Sequence, residues 1–204
     1  MTSPFQQIAP QYATLWSDTP RGRAQREQVW QVVDQLFHPG DRILDLGCGT
    51  GDDAVHLVSN GVNVVGVDSA SGMVEIARTR GIDARLLAIE ALAVLDGEFD
   101  GAISNFGALN CIEDLNEVSE GLAPLLRPRG TLALCVMTRF CWRNDLRHIA
   151  QRWSGHARWR GIDVYYRSTR EIARAFTPHF EMQRRVSIGR GDHQLLVFTR
   201  RQEC

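Results

Sequence analysis

Lysine is missing from this sequence: all 23 basic residues of the 204-residue chain are arginine. The chain therefore cannot use a Schiff base, a lysine general base or a P-loop phosphate site. Its five cysteines are scattered and form no C-x-x-C pair, so neither a disulfide framework nor a zinc ribbon is indicated, and we expect no metal site. No leader pattern opens the chain, and no apolar run approaches the ~20 residues of a membrane span. These absences predict a cytoplasmic protein without a transmembrane segment.

The charges nearly cancel over the whole chain but are unevenly distributed along it. Residues 1–120 carry 7 arginines and 18 acidic residues, whereas residues 121–204 carry 16 arginines and 6 acidic residues. The two parts are therefore expected to present different faces to different chemistry. The length suits one domain with a substantial core, and no repeat or linker divides it, so we expect a single domain over residues 1–204.

Short apolar runs alternate with helix-length segments through the middle of the chain. This alternation predicts an α/β fold, a doubly wound, Rossmann-like sheet of seven mostly parallel strands. The last two runs are joined by residues 189–193 alone, which are too few for a parallel crossover, so these runs must form a C-terminal antiparallel hairpin. The predicted strands are 42–46, 62–67, 84–87, 99–104, 131–137, 181–188 and 194–199.

A cap inserted between the fifth strand and the hairpin completes the predicted organisation. The parts are N-terminal helices (1–38), a ligand-binding core (42–138), the cap (139–168) and a last helix with the hairpin (169–204). The cap is predicted to be helical because an apolar stripe recurs at helical spacing. The stripe consists of Trp142, Leu146, Ile149 and Trp153. His148 falls away from this stripe and should face solvent, which argues against it as a catalytic base.

The strongest signal is a glycine-rich turn between the first strand and the following helix, where residues 43–53 read Ile-Leu-Asp-Leu-Gly-Cys-Gly-Thr-Gly-Asp-Asp. Glycine permits positive φ angles and close approach of a ligand to the backbone. In a doubly wound sheet this turn lies at the carboxyl ends of the strands, where ligands bind. The second strand ends in Asp68, placed to accept hydrogen bonds from ribose hydroxyls. The pair predicts an adenosine-containing ligand.

Acidic residues around this turn disfavour a dinucleotide. The fingerprint G-x-G-x-x-G would need glycine at position 52, where the chain has Asp52 followed by Asp53. These carboxylates favour the helix dipole but would repel a pyrophosphate at the helix N-terminus. Together with Asp45 they form an acid-rich loop that suits a ligand with a positively charged end.

The ordered set of motifs resembles the class I S-adenosylmethionine-dependent methyltransferases, whose first motif is an acid followed by three alternating glycines. The resemblance covers nearly the whole chain. It rests on Ala9 and Tyr12 of an Ala-x-x-Tyr element, Asp45, Gly47, Gly49 and Gly51, Asp68 with Met73, Phe99-Asp100, the turn from Leu126 to Gly130, and the terminal hairpin.

This resemblance implies a site for S-adenosylmethionine, with S-adenosylhomocysteine as product. Asp45 and the backbone of Gly47–Gly49 would hold the methionine end, and Asp68 the ribose. Ser69 and Met73 would form the rim of the adenosine site. The full set of expected cofactor-binding residues is Tyr12, Asp45, Gly47, Cys48, Gly49, Gly51, Asp68, Ser69, Met73, Ile89, Glu90, Asn105 and Phe106.

Two further parts of the site follow from the same resemblance. Asn105 and Phe106 would neighbour the sulfonium. After the third strand the family often places an acid that contacts adenine, where this chain has Ala88. Either Glu90 reaches round to the adenine ring, or the Ile89 amide contacts it alone.

The acceptor is less defined than the cofactor, and no catalytic residue is identified. Residues 104–111 lack the Asn-Pro-Pro-Tyr type of sequence used to methylate planar amino groups, so adenine and glutamine amides are not expected acceptors. Cys111 lacks the Pro-Cys or Thr-Cys context of the pyrimidine C5-methyltransferases, and is interpreted as a packing residue.

Residues 139–174 carry 9 arginines against 3 acidic residues. A solvated basic face would explain this excess, and so would a small anionic acceptor, an anionic membrane surface or RNA. A small anionic acceptor is favoured over the other ligands because a short cap could hold it, and no nucleic-acid partner is expected.

The sequence therefore predicts a methyltransferase that acts on a small-molecule acceptor. Two alternatives stay open: a degenerate S-adenosylmethionine-binding protein without turnover, and a nicotinamide-dependent oxidoreductase. Asp52 and the terminal hairpin argue against the oxidoreductase.

Replacing Asp68 tests the expected ribose contact. We expect Asp68→Ala to weaken S-adenosylmethionine binding by at least ~1.5 kcal/mol, because the ribose hydroxyls lose their acceptor. Calorimetric titration measures the change, and Arg143→Ala serves as the control with unchanged affinity. Equal affinity in the wild type and Asp68→Ala would show that the ribose contact is elsewhere.

Overall fold

A computed structural model of the chain describes residues 4–139 and 152–202. Its strands are β1 (Arg42–Leu46), β2 (Asn63–Asp68), β3 (Asp83–Leu86), β4 (Phe99–Ser104), β5 (Leu126–Val136), β6 (His156–Trp159), β7 (Ile162–Tyr165), β8 (Phe180–Ile188) and β9 (His193–Arg200). Its α-helices are α1 (Pro4–Ile8), α2 (Pro20–Val33), α3 (Asp52–Ser59), α4 (Ser71–Thr79), α5 (Leu115–Leu122) and α6 (Thr169–Phe176). The described residues also form short 3-10 helices at Ala9–Gln11, Ile89–Val94, Ala108–Cys111 and Ala123–Leu125 and a π-helix at Ala13–Ser17.

Seven strands form one sheet in the order β3-β2-β1-β4-β5-β9-β8. The strands from β3 to β5 pair in parallel, whereas β9 is antiparallel to both β5 and β8. This arrangement confirms the predicted mostly parallel sheet with a C-terminal antiparallel hairpin.

Both faces of the sheet are buried because successive strand residues point to opposite sides. In β1, Leu44 and Leu46 belong to a core cluster shared with α5 and α6, and Ile43 belongs to a second cluster with α2, α3 and α4. The same alternation runs along β5. Burial on both faces explains why these strands read as continuous apolar runs.

The strand order reverses between β1 and β4, which is where ligands bind in doubly wound sheets. The two strands are held at their ends by the Ser104 hydroxyl, which donates to the Leu46 carbonyl oxygen at 2.8 Å. The loops that follow β1 and β4 therefore leave the sheet side by side and form the crevice in which the candidate site lies.

The helices begin where the sequence provides capping groups. Thr19 caps α2, its hydroxyl oxygen accepting a hydrogen bond from the Gly22 amide at 3.0 Å, and Pro20 occupies the first helical position. Ser168 and Glu171 form a reciprocal capping box at the start of α6. Local side-chain chemistry thus sets the entry of both helices.

In the described part of the cap, residues 152 and 153 are helical and β6 and β7 form a two-stranded hairpin, which the sequence interpretation missed. Trp153, the last residue of the predicted apolar stripe, is 72% exposed and does not pack on the domain. The other three members of the stripe, together with Arg143 and His148, lie outside the described residues. Within residues 4–139 and 152–202, no helix has the length and apolarity needed to cross a membrane.

Candidate active site

The three glycines of the loop after β1 all have positive φ angles but meet different surroundings. A Cβ atom at Gly47 would lie 2.3 Å from the Ala108 Cβ, and one at Gly51 would lie 3.2 Å from the Ala77 Cβ. A Cβ at Gly49 would have no described atom within 4 Å. Gly47 and Gly51 are therefore required by packing, whereas Gly49 faces open space through which a ligand can approach the backbone.

The backbone amides of this loop already have partners inside the protein. The Gly47 and Cys48 amides both donate to the Val67 carbonyl oxygen, at 2.8 and 3.0 Å, and the Gly49 amide donates to Asp68 Oδ2 at 2.9 Å. These hydrogen bonds fix the loop itself, so the three amides are not free donors, and the expectation that the Gly47–Gly49 backbone holds the methionine end stays a prediction. Cys48 contributes packing, because its buried sulfur lies against Gly66 and burial raises the pKa of the thiol.

Asp68, at the end of β2, is held in one orientation by two backbone amides. Oδ2 accepts from Gly49 and Oδ1 accepts from Ala70, both at 2.9 Å. Burial raises the pKa of Asp68, and these two hydrogen bonds partly oppose that rise. Each carboxylate oxygen retains a lone pair, so the fixed group can still accept from two adjacent hydroxyls. Ser69 beside it is exposed.

Asp45 is the most isolated charge of the site. The residue is 1% exposed, and its Oδ2 has no hydrogen-bond partner among the described residues. Burial raises the pKa of Asp45 well above its usual range, and the Asp53 carboxylate raises it further. A buried carboxyl in this state favours either a proton or a cationic ligand.

The loop after β4 contributes a buried amide and a strained aromatic residue. Neither Asn105 Oδ1 nor Nδ2 has a partner within the described part of the chain, although both atoms are buried. Phe106 adopts a left-handed conformation at φ 53°, which is rare for a bulky residue and occurs mainly at functional sites. Its ring lies between the Arg26 guanidinium, 4.9 Å from the ring centre, and the His193 ring, at 5.5 Å between centroids.

Buried polar atoms without partners concentrate at this edge of the sheet. Of seven such side-chain atoms in the described residues, all except Ser119 Oγ belong to residues around the ends of β1 and β4 and the start of β9. The six are Arg26 Nε, Asp45 Oδ2, Asn105 Oδ1, Asn105 Nδ2, Arg152 Nε and His193 Nδ1. Because buried polar groups in folded proteins are nearly always hydrogen-bonded, this concentration marks a ligand site.

The acidic pair at the start of α3 is neutralised. Arg26 Nη1 lies 2.7 Å from Asp53 Oδ2, and Arg80 Nη1 lies 2.6 Å from Asp52 Oδ1. Burial opposes ionisation of Asp52, but the hydrogen bond from Ser17 and the two guanidinium groups hold its pKa below the usual value. The interpretation of an acid-rich loop facing a cationic ligand is therefore wrong for these two residues. The available negative charge is that of Asp45 and Asp68.

Some of the remaining expected cofactor-binding residues lie at the site, and others pack behind it. Tyr12 is half-buried near Arg26, and burial raises its pKa to about 12. Ile89 contacts the glycine loop, since its Cδ1 lies 3.4 Å from the Cβ position at Gly47, whereas Glu90 is exposed. Met73 is 2% exposed and packs with α1, so it supports the N-terminal segment, and its place at the rim of the adenosine site stays a prediction.

Two residues of this edge were missed in the sequence analysis: Arg152 and His193. Both are largely buried, and Arg152 Nη2 donates to the carbonyl oxygen of Asp192 at 2.6 Å. A signal for His193 was present, because the predicted hairpin places the turn 189–193 at the carboxyl edge of the parallel strands. Arg152 carried no comparable signal, being one arginine among many in the cap.

Other reactive groups of the described chain have structural surroundings. The Cys111 thiol donates to the Gly107 carbonyl oxygen at 3.5 Å, and burial raises its pKa to about 11, which fits the packing role expected for it. Among the residues described, no group of histidine, cysteine and acidic side chains is arranged to hold a metal ion.

Comparison with protein families and curated proteins gives one consistent result. Residues 43–130 match the family described as the methyltransferase domain. A demethylmenaquinone methyltransferase of Beutenbergia cavernae is 36% identical over 121 residues, which make up 57% of this chain and 50% of that protein. The enzyme of the same name from Thermus thermophilus is 37% identical over 138 residues, 64% of this chain and 62% of that protein. The chain thus spans less than two thirds of the length of either relative.

Solved structures share the fold at low sequence identity. An S-adenosylmethionine-dependent methyltransferase of Thermotoga maritima superposes with a TM-score of 0.74 at 20% identity, over 97% of this chain and 98% of its own. The 1,6-didemethyltoxoflavin-N1-methyltransferase of Burkholderia thailandensis, with bound 1,6-didemethyltoxoflavin and S-adenosylhomocysteine, superposes with a TM-score of 0.64 at 21% identity. The match covers 100% of this chain and 92% of that chain.

Replacing Gly49 or Gly47 with alanine distinguishes a glycine that a ligand approaches from one that packing requires. We expect Gly49→Ala to cost about 1 kcal/mol of stability for its left-handed backbone and to weaken S-adenosylmethionine binding at least ~10-fold. Gly47→Ala adds a clash with Ala108, so it should lower stability by about 2 kcal/mol more than Gly49→Ala does. Thermal melts and calorimetry measure both effects. Full affinity in Gly49→Ala would place the ligand away from this loop.

Asparagine at position 45 should stabilise the protein while weakening the site. The raised pKa means that the folded state disfavours ionised Asp45, so its charge lowers stability at every pH above the ordinary value of 3.8. We expect Asp45→Asn to raise Tm by about 2–4 °C at pH 7 and to lower S-adenosylmethionine affinity. Near pH 3 the gain in Tm should disappear. A lower Tm at pH 7 would contradict this account.

Proposed function

We propose that this chain transfers a methyl group from S-adenosylmethionine to a small-molecule acceptor. It has the class I S-adenosylmethionine-dependent methyltransferase fold, and its residues 43–130 match the methyltransferase domain family. The donor would bind in the crevice at the carboxyl ends of β1 and β4. The product of each turnover would be S-adenosylhomocysteine.

The observation that carries this proposal is the set of unpaired buried polar atoms around that crevice. Asp45 offers a desolvated carboxylate to the ammonium of the methionine end, and the fixed carboxylate of Asp68 can accept from both ribose hydroxyls. The open flank of Gly49 lies between them in sequence and provides close approach to the backbone. The residues present therefore fit S-adenosylmethionine.

Bound S-adenosylmethionine supplies an electrophilic methyl group, so the protein has chiefly to align the acceptor and exclude water. An aromatic row extends from the N-terminal segment to the cap beside the site. The ring centroids of Tyr12 and Trp16 are 5.3 Å apart, and those of Trp16 and Trp159 are 5.5 Å apart. This row joins two segments distant in sequence and would shield the crevice from solvent.

A small acceptor is favoured over a macromolecule by the relatives and by the cap. The names of the matched relatives specify demethylmenaquinone, and one structural neighbour holds 1,6-didemethyltoxoflavin, so each is named for a small-molecule substrate. The contact between Trp16 and Trp159 brings the β6–β7 hairpin against the N-terminal segment, an arrangement that favours a small acceptor over a macromolecule. An anionic acceptor fits the arginine-rich composition of residues 139–174.

Ligand titration tests the proposal directly. We expect calorimetry to detect binding of S-adenosylmethionine and S-adenosylhomocysteine but not of NADH or NADPH. Incubation with S-adenosylmethionine labelled in its methyl group should then transfer label to a small-molecule fraction of a bacterial extract. His38→Asn, an exposed change at the opposite edge of the sheet, is the control that keeps both properties.

Three outcomes would contradict the proposal. Binding of the nicotinamide compounds alone would favour the oxidoreductase alternative. Binding of the sulfur compounds without transfer to any fraction would favour a degenerate binding protein. Transfer of label to RNA or protein in place of small molecules would overturn the acceptor class.

A further inference from the structure

His193 reaches the candidate methyl-transfer region from the opposite side to the glycine loop. It is the first residue of β9, which is antiparallel to β5, so it lies at the same edge as the carboxyl ends of the parallel strands. Its ring meets the Phe106 ring edge-on at 5.5 Å between centroids. Phe106 follows Asn105, the pair expected beside the sulfonium, so the imidazole is a neighbour of the reacting region.

The surroundings of His193 keep its imidazole neutral. Nδ1 is buried and has no hydrogen-bond partner among the described residues. Burial lowers the pKa of His193 to about 4, the positive charges of Arg152 and Arg21 lower it further, and Asp192 opposes them. Arg152, Arg21 and Asp192 are the charged groups that act on it, and the uncharged Phe106 ring lies against it. At neutral pH the ring therefore carries a free lone pair that can accept a proton.

Arg152 places a buried positive charge beside this imidazole. Its Nη2 donates to the carbonyl oxygen of Asp192, the residue that precedes His193, at 2.6 Å. Its Nε is buried and unpaired in the described part of the chain, and the guanidinium carbon lies 5.4 Å from the centre of the Tyr166 ring. A buried guanidinium with a spare N–H is suited to a carboxylate or another oxyanion.

The position of both groups is fixed by Asp192, which is buried. Its side chain pairs with Arg21 and accepts from Gln25 Nε2 at 3.1 Å, so the β8–β9 turn is tied to α2. Its carbonyl oxygen binds Arg152, so the same turn is tied to the cap. Groups held this rigidly can act on a bound molecule with little reorganisation.

We propose that Arg152 and His193 form the acceptor end of the site, where Arg152 binds an anionic group of the acceptor and His193 is the general base. This inference rests on the proposed function and names the acceptor class: a small planar anion with an ionisable hydroxyl. The Phe106 ring beside His193 and the Tyr166 ring beside Arg152 would provide apolar contacts for such a molecule.

The reaction is balanced without any further reactant. The O–H bond of the acceptor breaks and its proton passes to His193 Nδ1. The freed electron pair on oxygen forms the new O–C bond while the S–C bond of S-adenosylmethionine breaks, and that electron pair stays on sulfur. The methylated acceptor and S-adenosylhomocysteine leave, and the imidazolium releases its proton to solvent. Arg152 would hold the acceptor anion, and its charge keeps His193 unprotonated before the reaction. The same charge makes the imidazole a weaker base, so His193 accepts the proton as the O–C bond forms and not in a separate step before it.

Nuclear magnetic resonance of the imidazole tests this arrangement without turnover, with benzenesulfonate as the probe because it stays anionic throughout the titration. The His193 resonance is assigned by its loss in His193→Asn. We expect it to titrate with a midpoint near pH 4 in the free protein. Benzenesulfonate should shift that resonance saturably and raise its midpoint. Arg152→Gln should raise the midpoint of the free protein by about one pH unit and abolish the response to the anion.

Arg152→Lys keeps the charge and distinguishes electrostatics from a loss of structure, since the midpoint of His193 should stay low in this variant. His38, exposed between α2 and β1, is the internal control whose resonance should not respond to benzenesulfonate. The inference is overturned if benzenesulfonate leaves the His193 resonance unmoved, or if the response survives unchanged in Arg152→Gln.

Methyl transfer supplies the second readout. We expect His193→Asn to lower kcat about 100-fold and to remove the acidic limb of the pH profile, with S-adenosylmethionine affinity unchanged by calorimetry. An unchanged rate and pH profile would exclude His193 as the base. Failure of the proposed function is distinguishable, because the wild type itself would then bind no S-adenosylmethionine or transfer no methyl group, whereas failure of this inference leaves wild-type transfer intact and His193→Asn unaffected.

Discussion

A single buried guanidinium, that of Arg26, joins the three segments from which the site is built. It belongs to α2, pairs with Asp53 at 2.7 Å in the first turn of α3, and lies over the ring of Phe106 after β4. Removing one partner of such a buried pair costs about 3–5 kcal/mol, because the other charge is left uncompensated. The glycine loop leads directly into α3, so its position relative to the β4 loop depends on this interaction.

The central strands could be predicted from the sequence because burial on both faces makes each an uninterrupted apolar run. Strands β1 and β4 have the predicted bounds, 42–46 and 99–104. Strand β5 begins at Leu126, five residues earlier than predicted, because Phe99 pairs with Leu126 across a register shift that local pattern does not encode. The β6–β7 hairpin was also missed. Its turn at Arg160-Gly161 is short, with positive φ at both residues, and it lies in a cap whose helical prediction rested on the apolar stripe that ends at Trp153.

For the site, too, features set by neighbouring residues in the sequence could be predicted, whereas features set by residues far along the chain could not. Asp45, Asp68 and Asn105 lie where strand ends must place them, so topology alone brings them together. The neutralisation of Asp52 and Asp53 depends on Arg26 and Arg80, which are 27 and 28 positions away along the chain, and net charge in a window cannot reveal it. The burial of Met73 depends on distant information in the same way, since the α1 segment that packs with it is about 65 positions earlier in the chain.

The three glycines of the loop should have different evolutionary histories. Two of them are held by contacts inside the protein, and a lineage that lost its ligand would still need them in order to fold. Gly49 meets no described atom on its open side, so only its left-handed backbone and the ligand itself restrict it, and asparagine tolerates that backbone. In related proteins that no longer bind a ligand, substitution by asparagine should appear first at position 49. The residue at this position would then distinguish lineages that still bind the ligand from those that do not.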